Sequence, residues 1–176
     1  MSKTTITPID VESTFGEDEI IVSKTNEKGH LLYANDVFCR MAEMTTEEVI
    51  GEPHSIIRHP DMPRAVFKLL WDTIQSGNEI FAYVKNMTKS GKYYWVIAHV
   101  TPSFDKGGNV IGYHSNRRSP KQSALGIIKP LYAQLLKEEQ GHSSKKVGME
   151  SSFAMLVGIL KDKNLSYDEF IWEIGK

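Results

Sequence analysis

A cluster of polar residues precedes a segment with helical periodicity, and it has the chemistry of an anion-binding site. Arg58 and His59 lie just ahead of Pro63, where the N-terminus of a helix is predicted. A guanidinium, an imidazole and free backbone N–H groups together suit a diphosphate. Asp61 fits better as the N-cap of this helix, because an N-cap side chain accepts hydrogen bonds from the first backbone N–H groups.

Two asparagines are further candidates for contact with a ligand. Asn86 interrupts an apolar strand pattern, and a buried amide must find hydrogen-bond partners, which a bound ligand would supply. Asn35 precedes a short helical segment, so a capping role competes there with a ligand role. His99 and His114 lack a second ligand at a metal-binding spacing, and we therefore predict no metal site.

Aromatic and small side chains are placed where they could form the walls of a pocket. Phe67 and Trp71 are four residues apart on the predicted helix, on a face beside its apolar stripe. Plain core packing is the competing interpretation for both. On a later strand one face carries Val96 and Ala98, whose small side chains leave room for a ring.

The elements that must position these residues follow from the sequence periodicity. Two strands joined by a turn at 26–29 are followed by short helices, a longer helix that ends at Gly77, and three more strands. This order is typical of an α+β protein rather than of repeated βαβ units. We predict a five-stranded antiparallel sheet with short helices on one face, plus C-terminal helices.

The chain divides into five segments in this interpretation, because polar stretches separate the periodic ones. They are an N-terminal arm or cap (1–19), a main domain (20–118), a linker or signalling helix (119–140), a flexible linker (141–150) and a helical pair for docking or dimerisation (151–176).

Composition argues against several classes of protein. The 176 residues carry a net charge of −1 and no basic block, which is unlike a nucleic-acid-binding protein. No apolar run approaches the ~20 residues of a membrane span, and a single cysteine, Cys39, suits a reducing compartment. We expect a cytoplasmic protein. Because no nucleophile–base pair, carboxylate dyad or nucleotide-binding loop stands out, we do not predict an enzyme.

Several short segments occur in the order and spacing of one family. They are YAND at 33–36, GEPH at 51–54, RHPDMP at 58–63, VKN at 84–86, YWV at 94–96 and PLY at 130–132. On these segments residues 20–117 resemble a PAS domain, specifically the flavin-binding PAS domain of aerotaxis receptors. RHPDMP is the most specific of them.

The resemblance implies a cofactor and a signalling role. It implies that FAD is bound between the helical block and the sheet, and that its redox state is reported to a chemotaxis signalling unit. It carries Arg58, His59 and Asp61 over as residues required for FAD binding and gives ligand contact by Asn35 about the same weight as its capping role. Full receptors have a membrane anchor and a methyl-accepting region that this sequence lacks. We therefore expect action in trans on a methyl-accepting chemotaxis transducer, with 121–176 as the docking or homodimer surface.

Two features separate this sequence from flavin-binding relatives. Residues 86–92 also resemble a loop of LOV photoreceptors, but His54 stands where those proteins have their reactive cysteine, and Cys39 belongs to a preceding helix. We therefore expect no cysteinyl adduct. Glu79 and Ile80 replace a Pro-Trp pair of the aerotaxis family, which removes one aromatic wall.

Two alternatives to a flavin-binding sensor remain. They are a cofactor-free interaction module and a haem gas sensor with His54 or His59 as the axial ligand.

Overall fold

A five-stranded antiparallel sheet is the centre of the fold in the computed structural model, which describes residues 6–176. Its strands lie in the order β2-β1-β5-β4-β3, so that the first hairpin pairs with the last strand of the meander. The predicted α+β class and sheet are confirmed. The strands are β1 (Ile21–Asn26), β2 (Leu31–Ala34), β3 (Ile80–Met87), β4 (Tyr93–Phe104) and β5 (Val110–Arg118).

Short helices connect β2 to β3 and cover one face of the sheet, called the inner face below. They are α1 (Asp36–Ala42), α2 (Thr46–Val49), a 3₁₀ turn (His54–Ile57) and α3 (Arg64–Gln75). A capping box starts α2, since the Thr45 side chain accepts from the Glu48 N–H while the Glu48 carboxylate accepts from the Thr45 N–H.

The start of α3 differs from the prediction, and Asp61 is not its N-cap. Pro63 occupies the capping position and the helix begins at Arg64, three residues beyond Asp61. The Asp61 carboxylate lies instead 2.8 Å from the Lys85 ammonium on β3. The Ala65 N–H, which a cap would have satisfied, donates to the Glu139 carboxylate at 2.9 Å, so a distant residue replaces the local cap.

Three helices follow the sheet, namely α4 (Gln122–Gln140), α5 (Lys145–Asp162) and α6 (Tyr167–Ile174). The segment 141–150, predicted as a flexible linker, is helical from Lys145 onward. The Ser144 side chain accepts from the Val147 N–H and caps α5, which leaves only 141–144 as a turn.

The C-terminal helices pack against both the sheet and α3. On the outer face of the sheet, the buried Tyr132 hydroxyl of α4 donates to the Tyr83 carbonyl of β3 at 2.7 Å. Helix α5 packs against α3 and α4, and Gly148 allows the approach because a Cβ there would lie 2.4 Å from the Glu139 carbonyl oxygen. No helix within 6–176 has both the length and the apolarity needed to cross a bilayer.

The predicted N-terminal arm contacts the sheet where β5 has ended. The Tyr93 N–H of β4 donates to the Val11 carbonyl at 3.0 Å, and the Ser13 N–H donates to the Tyr93 carbonyl at 2.7 Å. Backbone pairing therefore orders this part of the arm. Residues 1–5 of the arm lie outside the described residues.

Candidate functional site

A cavity of about 260 Å³ lies between the inner face of the sheet and α3. Helix α3 supplies one wall with Phe67, Leu70, Trp71 and Ile74. The Trp71 ring meets the Tyr113 ring edge to face, with 5.5 Å between ring centroids. A flat aromatic group fits the shape of such a slot. The cavity volume is close to the lower end of the roughly 300–1,000 Å³ typical of ligand pockets.

Small side chains keep the opposite wall open. Ala98 and Val100 of β4 line the cavity from the sheet, as their alternation predicts. At the β1–β2 turn, Gly29 lies so close to Trp71 that a Cβ would be 2.9 Å from the indole ring, and its φ of +80° favours glycine. Bulk at these positions would reduce the space for a ligand.

The polar end of the cavity is built around a buried arginine at the end of β5. The Arg117 Nε donates to the Ser115 hydroxyl at 3.0 Å, and Nη2 donates to the Ser23 hydroxyl and to His54 Nε2, the latter at 2.8 Å. Because Arg117 only donates, His54 Nε2 must be an unprotonated acceptor. Burial and the Arg117 charge lower the pKa of His54 to about 3, and burial lowers the pKa of Arg117 to about 10.

Three buried donors near this end have no hydrogen-bond partner within residues 6–176. They are the Asn86 amide nitrogen, the Tyr94 hydroxyl and the Arg117 Nη1. Asn86 and Arg117 line the cavity, and Tyr94 pairs with Asn86 across β3 and β4 on the same inner face. Burial raises the pKa of Tyr94 to about 12, so its hydroxyl stays a donor. Since buried donors are normally satisfied, this end suits a ligand edge rich in acceptors.

Two further cationic side chains line the cavity. Exposed Lys28 belongs to the β1–β2 turn, and half-buried Arg58 follows the 3₁₀ turn. The Arg58 guanidinium lies over the Phe67 ring at 3.9 Å from its centroid, which orients it toward the cavity wall. Burial and the neighbouring Arg64 charge lower the pKa of Arg58. Two cations beside an apolar slot suit a ligand that carries phosphate outside its ring.

The family described as PAS fold matches residues 31–117, which include four of the five strands and the helices that enclose the cavity. This part of the chain is a PAS domain. The predicted membership, made from segments such as RHPDMP, is confirmed.

The sequence of this chain is similar to parts of longer, named proteins. The aerotaxis receptor of Escherichia coli (strain K12) is 34% identical over 131 residues, which cover 74% of this chain and 25% of the receptor. Phototropin-1A of Oryza sativa subsp. japonica is 31% identical over 80 residues, 46% of this chain and 9% of that protein. The chain thus spans at most about a quarter of either relative.

Solved structures show the same fold at low identity. The dark-state LOV domain of the blue-light photoreceptor Aureochrome1 has a TM-score of 0.53 at 22% identity, over 69% of this chain and 84% of that one. A Light-Oxygen-Voltage domain studied with a flavin analogue has a TM-score of 0.55 at 18% identity, over 63% of this chain and 84% of that one. These identities establish a shared fold and nothing finer.

The PAS cavity brings together five of the nine residues predicted as a ligand site. They are Arg58, Phe67, Trp71, Asn86 and Ala98. Predicted partners Asn35 and Val96 lie outside the lining. The Asn35 side chain caps α1 by accepting from the Phe38 N–H, also accepts from the Val22 N–H, and donates to the Ile20 carbonyl. Val96 is fully buried in the core on the inner face.

His59 and Asp61 also lie outside the cavity lining. His59 is 3% exposed, its Nδ1 accepts from the Asp61 N–H at 3.1 Å, and burial lowers its pKa. An isolated bridge pairs Arg58 with Asn86, and the Lys85–Asp61 ion pair lies directly beside it. These contacts link the segment that contains Arg58, a residue of the cavity lining, to β3.

The polar cluster of the PAS cavity was not predicted as a ligand site. The sequence predicts His54 only as a haem ligand or as the counterpart of the LOV cysteine, and it assigns no role to Arg117. The available signal was the alternation of Tyr113, Ser115 and Arg117, which places a charge on the same strand face as an aromatic residue. Cys39 does not line the cavity, and no cluster of three metal-ligating side chains occurs among the described residues.

We expect His54 to make the PAS domain less stable in acid. The unfolded chain protonates His54 near pH 6.5, whereas the folded chain resists protonation down to about pH 3. The free energy of unfolding should therefore fall through this window, with His54 contributing up to about 1.4 kcal/mol for each pH unit. Urea unfolding at a series of pH values measures this slope.

Two variants isolate the contribution of His54. His54→Gln keeps an acceptor for Arg117 but does not titrate, so its stability should fall less steeply below pH 6.5 than that of the native chain. Gln140→Ala, outside the cavity at the end of α4, should keep the native slope. If the free energy of unfolding falls with pH equally steeply in the native chain and in His54→Gln, His54 is not the cause of the acid sensitivity.

Proposed function

We propose that this PAS domain binds FAD non-covalently and acts as a cytoplasmic redox sensor rather than as an enzyme. The observation that carries the proposal is the set of unpartnered buried donors, on Asn86, Tyr94 and Arg117, at one end of an apolar slot. The isoalloxazine ring of a flavin has a matching form, with an apolar benzenoid end and carbonyl and ring-nitrogen acceptors at the other. A bound flavin supplies reversible electron uptake, which the side chains here cannot provide.

The parts of the chain fit the parts of a flavin nucleotide. Phe67 and Trp71 would flank the ring, while Asn86 and Arg117 would donate to its polar edge. The cavity of about 260 Å³ accommodates a tricyclic ring and not a whole dinucleotide, so the phosphates would lie at the opening. Lys28 and Arg58 are the cavity cations suited to bind them there. The aerotaxis receptor and the LOV domain studied with a flavin analogue support this choice of ligand.

Absorption spectroscopy of the purified full chain tests the cofactor. After incubation with FAD and removal of excess, we expect flavin bands in the near ultraviolet and the blue, with acid releasing intact FAD. A Soret band after expression with haem supply would favour the haem alternative. Ligation of haem through His54 Nε2 requires that atom to give up its hydrogen bond from Arg117, and His59, the other candidate ligand, lies outside the cavity lining. A colourless protein after both treatments would leave only the cofactor-free interaction module.

We expect Arg58→Gln to weaken binding of FAD and FMN by about tenfold and to leave riboflavin binding unchanged. The reason is that a charge-assisted hydrogen bond contributes about 1.5–3 kcal/mol, and only the nucleotides carry phosphate. Isothermal titration calorimetry with the three flavins measures the difference. Arg64→Gln is the matched control, because Arg64 lies nearby at the start of α3 but does not line the cavity. A uniform loss across all three flavins would contradict phosphate binding by Arg58.

The packing around α3 suggests how a change in the pocket would reach the C-terminal helices. One face of α3 lines the cavity through Phe67 and Trp71, and α5 packs against the same helix. The Lys68 ammonium lies 5.2 Å from the centroid of the Phe153 ring on α5, and the Glu139 carboxylate of α4 accepts from the Ala65 N–H. A shift of α3 on flavin reduction would therefore disturb both C-terminal contacts.

We infer that the signal passes in trans to a methyl-accepting chemotaxis transducer through residues 121–176, with a homodimer as the alternative use of this surface. The similarity to an aerotaxis receptor supports the transducer. Binding of the flavin-loaded chain to the signalling part of such a transducer should differ between the oxidised and the dithionite-reduced state. Equal affinity in both states would contradict redox signalling by this route.

A further inference from the structure

Arg117 is a buried cation without a buried anion. The residue is 2% exposed, and its hydrogen-bond partners are two serine hydroxyls and the neutral imidazole of His54. The Phe38 ring lies 5.2 Å from the guanidinium carbon and adds a cation–π contact. No carboxylate within residues 6–176 forms an ion pair with Arg117.

This arrangement is costly unless a ligand supplies the missing negative charge. A buried guanidinium without a counter-ion loses its hydration and gains no Coulomb attraction in return. Burial lowers the pKa of Arg117 only to about 10, so the charge persists at neutral pH. The Arg117 Nη1 has no acceptor in the chain and Arg117 lines the cavity, so the free donor is available to the ligand.

We propose that Arg117 is the counter-charge for the reduced flavin, so that the cavity binds the reduced ring as an anion and more tightly than the neutral oxidised ring. This inference rests on the proposed binding of flavin. In this proposal Arg117 positions the flavin ring and balances its negative charge, which favours binding of the reduced state. The charge lies on the inner face, whereas the next residue, Arg118, is exposed.

Two-electron reduction to the anion adds one proton to the ring, which is one fewer than reduction to the neutral form adds. An external donor of the reduced-nicotinamide class transfers a hydride, which carries two electrons and one proton, to the ring, and no proton is taken up from solvent. The reduced ring then carries one negative charge, which the Arg117 guanidinium neutralises. The other titratable groups at the cavity do not compete. His54 and Tyr94 stay neutral, the Arg58 guanidinium lies over the Phe67 ring of α3, and Lys28 is an exposed residue of the β1–β2 turn.

The test compares midpoint potentials of flavin-loaded variants by spectroelectrochemistry. Arg117→Met removes the charge and keeps much of the volume, and we expect at least a tenfold loss in affinity for reduced relative to oxidised flavin. Tenfold corresponds to a potential lower by about 30 mV for a two-electron couple. Arg117→Lys should retain most of the native potential, and Arg118→Gln, the exposed neighbour on the same strand, should retain all of it.

Each outcome decides the matter. Flavin-loaded Arg117→Met and Arg118→Gln with the same potential would overturn the inference while leaving the proposed function intact. A native chain that binds no flavin would refute the proposed function itself. If Arg117→Met fails to fold, the absorption spectrum of the reduced native complex in mildly acidic buffer decides, because free reduced flavin is neutral there. The spectrum of anionic reduced flavin is expected, and that of the neutral form would overturn the inference.

Discussion

Ala98→Phe should abolish flavin uptake and leave the PAS domain folded. Ala98 lies on the inner face of β4, between Ala82 of β3 and Arg117 of β5, where its small side chain lines the cavity. A phenyl ring there would occupy the space of the flavin ring beside the polar end. The expected loss of flavin binding is therefore larger than the loss from removing any single hydrogen bond, since the ligand is excluded sterically.

The measurement is flavin content per chain after reconstitution, with circular dichroism to check the fold. Ile97→Phe is the matched control, because Ile97 precedes Ala98 and points to the outer face of the same strand, away from the cavity lining. It should bind flavin like the native chain. A larger side chain in a packed core typically lowers the free energy of unfolding by about 1–3 kcal/mol. Full flavin occupancy in Ala98→Phe would show that flavin does not bind in this cavity.

Phe38→Ala should lower the free energy of unfolding by about 3–5 kcal/mol, the usual cost of emptying a buried phenylalanine site. Phe38 of α1 is 0% exposed and packs into the core. Its ring also meets the His54 ring edge to face, with 6.0 Å between centroids, and faces the Arg117 guanidinium. The substitution therefore removes core packing and support for the polar cluster together.

Urea unfolding of the flavin-free chain measures this loss, since a bound ligand would add its own stabilisation. Phe104→Ala at the end of β4 is the control, because Phe104 is 48% exposed. Its effect should be less than about 1 kcal/mol. If both variants unfold at the same urea concentration, Phe38 does not have the stabilising role that its burial assigns to it.

Local patterns in the sequence predicted the elements well. The pattern Ser/Thr-x-x-Glu indicates a capping box, and Thr45 with Glu48 and Ser166 with Glu169 form such boxes at α2 and α6. Phe67 and Trp71 face the cavity from α3 as their spacing suggested. Each of these features depends on residues within one or two helical turns, so a short segment of sequence is sufficient to predict it.

Predictions failed where a distant residue replaced a local partner. Asp61 was predicted to cap α3, but its carboxylate pairs with Lys85, and Glu139, 74 residues after Ala65, accepts the hydrogen bond from the Ala65 N–H at the start of that helix. The start of α5 at Lys145 was missed for a related reason, because packing against α4 stabilises a polar segment as helix.

The sequence by itself determined the order of strands and helices, the PAS family and the residue types that could form a ligand site. Only the tertiary structure decided that Arg117, His54 and Ser23 meet at one end of the cavity, while His59 and Asp61 lie beside it. The reason is that helix and turn signals act over a few residues. Burial of a charge depends instead on strand register and on the packing of segments far apart in the chain.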